Sequence, residues 1–259
     1  MPKNLLQLLI ENRRPFTPIE NRIVASDSGT AIYLYDPIVG DRATAEWMGG
    51  VCPQDFVPAV RAPKADKITI YTNCGGGDVF AAEAMCQALR EHSAHVTMQI
   101  EGYAASAATK IACACDEVVM TSASKYMIHQ TWTLAMGNAN DLDSTAALLR
   151  KCDSTMYAEY VARSGNTLEQ VQAWCEAETW FTAEEAVKAG FVNSVIAKPS
   201  AKNSAAPRWN MSAYANAPAA HITETVPPEP VEQPAPTASE DHRARQQQRI
   251  SVLARTQVS

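Results

Sequence analysis

Between Ala31 and Ile196 the chain alternates short apolar runs with stretches whose apolar residues recur every three or four positions. Ala31-Ile32-Tyr33-Leu34-Tyr35 and Lys67-Ile68-Thr69-Ile70-Tyr71-Thr72 read as strands. Val79 to Glu91 places Val79, Ala82, Met85 and Leu89 on one helical face. Val96 to Ile100 is the next strand, after which Gly102 is expected to turn the chain into an alanine-rich helix ending near Ala114. Glu117 to Met120 and Lys125 to Ile128 are short strands, and Leu142 to Arg163 is one long helix closed by Gly165. Thr167-x-x-Gln170 and Thr182-x-x-Glu185 are capping-box patterns that each open a short helix. Gly190 ends the last helix before a closing strand, Phe191 to Ile196. Strands separated by crossover helices predict an α/β fold with a mostly parallel sheet.

That alternation stops near residue 198. All 11 glycines lie at or before Gly190, whereas 8 of the 15 prolines lie at or after Pro199. The final segment, Ala/Pro/Ser/Thr-rich, lacks the apolar surface to offset its ordering entropy and is expected to be a disordered tail. Glu224, Glu229, Glu232, Glu240 and Asp241 precede a basic end with Arg243, Arg245, Arg249 and Arg255. Three regions follow: an N-terminal segment 1–19, a folded domain 20–197 and a Pro/Ala-rich tail 198–259.

At 259 residues and 46% hydrophobic the chain can build a substantial core. No apolar stretch reaches the roughly 20 residues of a spanning helix. The opening run Leu5 to Ile10, broken by Gln7, lacks the length and small-residue site of a secretory signal. A net charge of −6 argues against a nucleic-acid or anionic-membrane partner. The seven cysteines include no C-x-x-C pair and are expected to be reduced core residues, which points to the cytosol.

Two strand ends carry candidate chemistry, because ligands of α/β sheets gather at the carboxyl ends of strands. Asn73-Cys74-Gly75-Gly76-Gly77-Asp78 leads into a helix, and its glycines leave backbone N–H groups bare enough to face an anion. The same loop could be only a tight turn; no phosphate-loop spacing follows it. Gly102-Tyr103-Ala104-Ala105-Ser106-Ala107-Ala108 puts a serine, flanked by small residues, at a helix N-terminus. Ser106 either packs in a close helix contact or acts as a nucleophile, and a nucleophile needs a base. His221 and His242 fall in the tail, and His92 and His95 flank a turn; His129, at the end of an apolar strand, remains. Lys110, one helical turn after Ser106, is the competing base or else a surface lysine. Asp141, Asp143, Asp153, Glu169, Glu176, Glu178, Glu184 and Glu185 all lie downstream, and position alone does not choose among them.

Four motifs in order, Asn73-Cys74-Gly75-Gly76-Gly77, Gly102-Tyr103-Ala104-Ala105-Ser106-Ala107, Met127-Ile128-His129-Gln130 and Trp180-Phe181-Thr182-Ala183-Glu184-Glu185-Ala186, resemble the ClpP-type serine proteases. The resemblance covers roughly residues 20–197. Gly75-Gly76-Gly77-Asp78-Val79-Phe80, Trp132 to Ala139 and Glu178-Thr179-Trp180-Phe181 look most like the phage branch, the head-maturation (prohead) proteases. The resemblance implies a ClpP/crotonase-like fold, with Ser106 as nucleophile and His129 as general base. It implies an oxyanion hole from the backbone N–H groups of Gly77 and Ala107. Counting back from Trp180-Phe181-Thr182 puts Glu178 at the third triad position, where the housekeeping enzymes usually carry Asp. Gly75 stands where the family commonly has proline.

The activity so implied is a serine endopeptidase that needs no cofactor or metal and processes scaffold or capsid proteins during prohead maturation. It would work in the host cytoplasm or prohead interior, as a ring-forming homo-oligomer, with any ATP dependence supplied by a separate unfoldase. Two alternatives stand beside it: a crotonase-type acyl-CoA enzyme, which shares the paired-amide hole without needing Ser106 and His129, and a catalytically inactive capsid-assembly subunit. The tail is expected to be either the protease's own substrate or a tether to the scaffold.

Overall fold

The computed structural model describes residues 12–26, 29–62, 64–196 and 214–217. All of them belong to one compact unit, Met1–Thr223; a second unit, Glu224–Ser259, lies outside the described residues. A 3-10 turn, Ile19–Arg22, leads into β1 (Ile23–Ser26) and β2 (Gly29–Leu34), followed by α1 (Arg42–Met48) and α2 (Pro53–Arg61). Then come β3 (Lys67–Cys74), α3 (Val79–Arg90), β4 (His95–Ala105), α4 (Ala107–Cys113), β5 (Glu117–Thr121) and β6 (Lys125–Ile128). The long α5 (Ala139–Ser164), α6 (Leu168–Glu176), β7 (Thr179–Thr182), α7 (Ala183–Lys188) and β8 (Ser194–Ile196) complete the order.

The strands form one sheet in the order β1-β2-β3-β4-β5-β8, with β6 branching from β4 and β7 pairing β6. Pairing is parallel except at β1–β2 and β6–β7. The expected α/β fold with a mostly parallel sheet and crossover helices is therefore present.

The branch arises because β4 is long enough to serve two neighbours. Its first half pairs β5 through Thr97–Ile100, and its second half pairs β6 through Tyr103–Ala105. Here the expectation from Gly102 needs correction. The strand runs straight past it to Ala105, because Tyr103 to Ala105 find ladder partners in Lys125 to Met127. Gly102 instead permits close packing, as a Cβ there would collide with the Asn73 amide of β3.

Alternating burial on β3 and β4 drives Ile68, Ile70, Val96, Met98 and Ile100 into a core roofed by Met85 and Leu89 of α3 and by Ile111. The long helix starts at Ala139 rather than Leu142, since Asn138 and Asp141 close a reciprocal capping box. Only its second half docks: Met156, Tyr157 and Tyr160 are buried, whereas Leu142 and Leu148 are exposed. Of the two capping boxes expected further on, Thr182–Glu185 is complete, while Thr167 accepts only the Gln170 N–H. The closing strand shortens to Ser194–Ile196.

Five of the seven cysteines are buried, and all seven are unpaired thiols. Among the described residues no helix is long and apolar enough to cross a membrane. Most of the expected tail lies outside the described residues, but Tyr214–Ala217 does not: it packs on the Tyr103–Met127 face of β4 and β6.

Candidate active site

Parallel pairing of β4 with β6 is what brings Ser106 and His129 together. Ala105 is in register with Met127, and the Ser106 N–H donates to the Met127 carbonyl at 3.0 Å. Both strands end there, so the next side chains leave the sheet at the same edge. The Ser106 Oγ lies 2.8 Å from His129 Nε2. A hydroxyl and an imidazole nitrogen at that distance share a hydrogen bond.

Ser106 reaches this position in a conformation that L residues rarely adopt, with φ 55° and ψ −126°. Such a residue costs on the order of 1–3 kcal/mol and persists only where its surroundings hold it. Two clamps are visible. Thr109 donates both its N–H, at 2.8 Å, and its hydroxyl, at 2.5 Å, to the Ser106 carbonyl. The Thr109 hydroxyl is in turn 2.7 Å from the Tyr160 hydroxyl on α5.

The glycine loop after β3 packs against the same junction. Gly76 has φ +91°, and a Cβ on it would come within 2.5 Å of the Ala105 carbonyl oxygen, 2.8 Å of Ser106 Cβ and 2.9 Å of the Ala107 nitrogen. No side chain fits there. The Gly76 N–H meets Cys74 Sγ at 3.4 Å, and the Asp78 N–H meets the Ile38 carbonyl at 2.9 Å. Between them, the Gly77 N–H has no acceptor among the described residues, and neither does the Ala107 N–H at the start of α4. One of these unengaged amides directly follows Ser106 in the chain, and the other directly follows the glycine packed on it.

Glu178 is placed by the other branch of the sheet. Ile128 pairs with Thr179 in the antiparallel β6–β7 ladder, so one further step along that register sets His129 opposite Glu178. Glu178 has φ 49° and, with Ser106, is one of two non-glycine residues of positive φ among those described. Its carboxylate is close enough for its charge to act on the imidazole, as is that of Asp153. Its hydrogen bonds, however, go elsewhere. It accepts from the N–H groups of Ala215, at 2.8 Å, and Asn216, at 2.6 Å, and from the Trp180 indole at 3.4 Å. Asp153 accepts from the Thr131 N–H and hydroxyl, at 2.6 and 2.8 Å.

Burial dominates the imidazole. Desolvation pushes the His129 pKa down to about 4, against the opposing pull of the Glu178 and Asp153 charges. At neutral pH the ring is therefore uncharged and able to accept a proton. Lys110 is not a competing base, nor a surface lysine. Its Nζ is buried and ion-paired at 2.5 Å with both Glu83 of α3 and Glu159 of α5. Those carboxylates hold its pKa above the ordinary lysine value despite burial. No group of three or more metal-ligating side chains occurs among the described residues.

Comparison with known families puts a frame around this geometry: Clp protease matches residues 43–199, more than half of the sequence. The chain belongs to the Clp protease family. A Clp protease proteolytic subunit of Bacteroides fragilis is 31% identical over 133 residues, 51% of this chain and 64% of that protein. The second proteolytic subunit of Bifidobacterium longum is 28% identical over 192 residues, 71% of this chain and 86% of its own length. A Streptococcus pneumoniae subunit is 31% identical over 137 residues, covering 51% and 70%. The first of these relatives is thus matched over less than two thirds of its length. Sequence reasoning missed the Clp-family chain's own tail as a neighbour of the site. The one signal for it was an aromatic residue, Tyr214, in a polar stretch.

Proposed function

We propose that the protein is a serine endopeptidase working through an acyl-enzyme. The observation that carries this reading is the 2.8 Å contact between Ser106 Oγ and His129 Nε2, at a strand end flanked by the unengaged N–H groups of Gly77 and Ala107. His129 Nε2 takes the Ser106 proton as Oγ bonds to a peptide carbonyl carbon, and the resulting oxyanion accepts from the two amides. Removing one such donor typically costs about 10²–10³ in rate. The C–N bond then breaks as the imidazolium returns its proton to the leaving amine. Water repeats the sequence on the acyl-enzyme, releasing the acid and restoring Ser106. Glu178 orients the imidazole and stabilises its cation.

The substrates we assign are scaffold or capsid proteins in prohead maturation, on the strength of the phage-type sequence strings around Gly77, Trp132 and Glu178. A homo-oligomeric ring fits the exposed Trp132, Leu134, Met136, Leu142 and Leu148, an apolar set that a monomer would leave in water. A separate unfoldase would supply any ATP dependence, and the prohead interior or host cytoplasm is the expected place of action. The acyl-CoA alternative gives no role to a hydrogen-bonded serine and histidine.

Fluorophosphonate labelling tests the chemistry: covalent modification of the native chain that disappears in Ser106→Ala supports it. Resistance to labelling in the native chain and in a chain ending after residue 210 alike, under conditions in which trypsin reacts, would refute it. Co-expression with capsid and scaffold proteins tests the substrate class. Cleavage products that vanish with Ser106→Ala are expected, and intact partners throughout would return the catalytically inactive assembly subunit to the front.

A further inference from the structure

The segment Tyr214–Ala217 does more than touch the site; it satisfies it. The Tyr214 ring lies edge-on to His129 at a centroid distance of 5.3 Å and edge-on to Trp180 at 5.8 Å. It closes a small apolar cluster with Tyr103, Ala105 and Met127, which Ala217 also joins. Its hydroxyl donates to the Gly75 carbonyl at 2.6 Å, next to the Gly76 that packs on Ser106. Glu178 then takes two successive backbone N–H groups, Ala215 and Asn216, and the Asn216 side-chain amide donates to the Ala177 carbonyl at 2.8 Å. Every polar contact runs from a peptide to the Ser106–His129–Glu178 neighbourhood.

Two features separate this from chance packing. A carboxylate that accepts paired backbone N–H groups reads the main chain of a ligand, whatever its sequence, while the aromatic pocket reads one side chain. That division, main chain for affinity and a pocket for specificity, is how extended peptides are bound. Yet the group delivered to Ser106 is a phenol, which offers the serine no acyl carbon. The segment is therefore bound as a ligand without being presented as a substrate, and it engages both oxygens of the Glu178 carboxylate that faces the imidazole across β6 and β7.

We propose that Tyr103, Ala105, Met127, Trp180 and Glu178 form a peptide subsite for an aromatic residue followed by two free backbone N–H groups, and that Tyr214–Ala217 fills it as a built-in competitive inhibitor. The proposal rests on the serine-peptidase reading and adds to it both a substrate preference and a latent state. Joined covalently to the site, the segment needs little intrinsic affinity, since an intramolecular ligand acts at an effective concentration of about millimolar. A competing peptide substrate or cleavage within the tail would release it.

The test compares the rate of Ser106 acylation by a fluorophosphonate in the full chain, in Tyr214→Ala and in Tyr214→Phe. Tyr214→Ala is expected to react about tenfold faster or more, because a site open only a tenth of the time loses that factor in apparent reactivity. Tyr214→Phe, which keeps the ring and loses the hydroxyl, falls between. Adding the capped peptide Tyr-Ala-Asn-Ala to Tyr214→Ala at millimolar concentration should restore the slow rate, and Ala-Ala-Asn-Ala should not. Equal, Ser106-dependent rates in the full chain and Tyr214→Ala would overturn the inhibitor while leaving the peptidase intact. Absence of labelling in all variants would instead refute the peptidase, and the inhibitor with it. If Tyr214→Ala failed to fold, a chain ending after residue 210, slowed by Tyr-Ala-Asn-Ala and not by Ala-Ala-Asn-Ala, gives the same decision.

Discussion

Ser106 and Glu178 share a backbone peculiarity, positive φ at 55° and 49°, but the regions around them are built differently. Ser106 stands at the end of a parallel ladder, under a glycine loop that leaves no room for a Cβ, with its carbonyl clamped twice by Thr109. Glu178 hangs at the mouth of a four-residue antiparallel strand, half-buried, with its carboxylate committed to a peptide that is not part of the sheet. One region holds its geometry through packing, the other through an exchangeable ligand. Strain at the first is locked in; at the second it is available to a switch.

The largest effect should come from the locked region. Ser106→Ala is expected to lower peptide hydrolysis by about 10⁴-fold or more without loss of folding, as steady-state rates with an aromatic peptide would show. Gly76→Ala should come next, at about 10²–10³ in kcat/KM. Its new Cβ would press on Ala105, Ser106 and Ala107 and displace the amides, and a lower Tm should accompany the loss. A Gly76→Ala enzyme with unchanged rate would mean the loop is looser than its contacts imply.

Glu178 sharpens the comparison, because its effect should depend on the tail. In the full chain Glu178→Gln weakens tail docking as well as imidazole orientation, so the two consequences oppose each other and acylation changes little. In the Tyr214→Ala background only orientation is left, and the same substitution should cost about tenfold to a hundredfold. Additive effects in that double-mutant cycle would contradict any coupling between Glu178 and the segment.

The pH profile gives a subtler reading. With the tail docked, burial holds the His129 pKa near 4, so the imidazole stays neutral across the physiological range. Releasing the tail readmits water and frees the Glu178 carboxylate, both of which raise that pKa. The acidic limb of the acylation profile should therefore move to higher pH in Tyr214→Ala. Stability follows the same linkage. Between the ordinary 6.5 and about 4, the unfolded chain takes up a proton that the folded site refuses. Stability contributed by the neutral ring is present above 6.5 and is lost as pH falls through that window. Denaturant midpoints measured across it should fall less steeply in His129→Gln.

Away from both regions, Lys110→Met should leave the chemistry nearly untouched and cost about 2–3 kcal/mol of stability. That lies below the about 3–5 of a fully buried broken pair, because Glu83 still reaches solvent. Urea unfolding would measure it.

Much of this was legible in the residues alone. The Lys67–Thr72 and Val79–Glu91 patterns became β3 and α3 within a residue or two, since alternation and helical spacing report burial directly. Ser106, His129 and Glu178 could be named as candidates because the motifs around them resemble those of the ClpP-type proteases; without that resemblance Lys110 and eight downstream acids stayed open. Harder to read were α1 and α2, seven and nine residues long and the second interrupted by Pro58, and the passage of β4 through Gly102, which needed the partner strand β6 to justify it. Lys110 illustrates the same limit: a lysine on a short helix looks solvated until Glu83 and Glu159 arrive from other elements to meet it.

The linear order of residues determined the α/β alternation, the glycine loop and the candidate serine and histidine at two strand ends, because each depends on neighbours within a few positions. Only the tertiary structure decided that β4 would pair with both β5 and β6, that Glu178 would face His129 across β7, and that Tyr214 would return to the site from beyond the last strand. Those contacts join residues 20 to 139 positions apart, and no local pattern encodes where two distant segments meet.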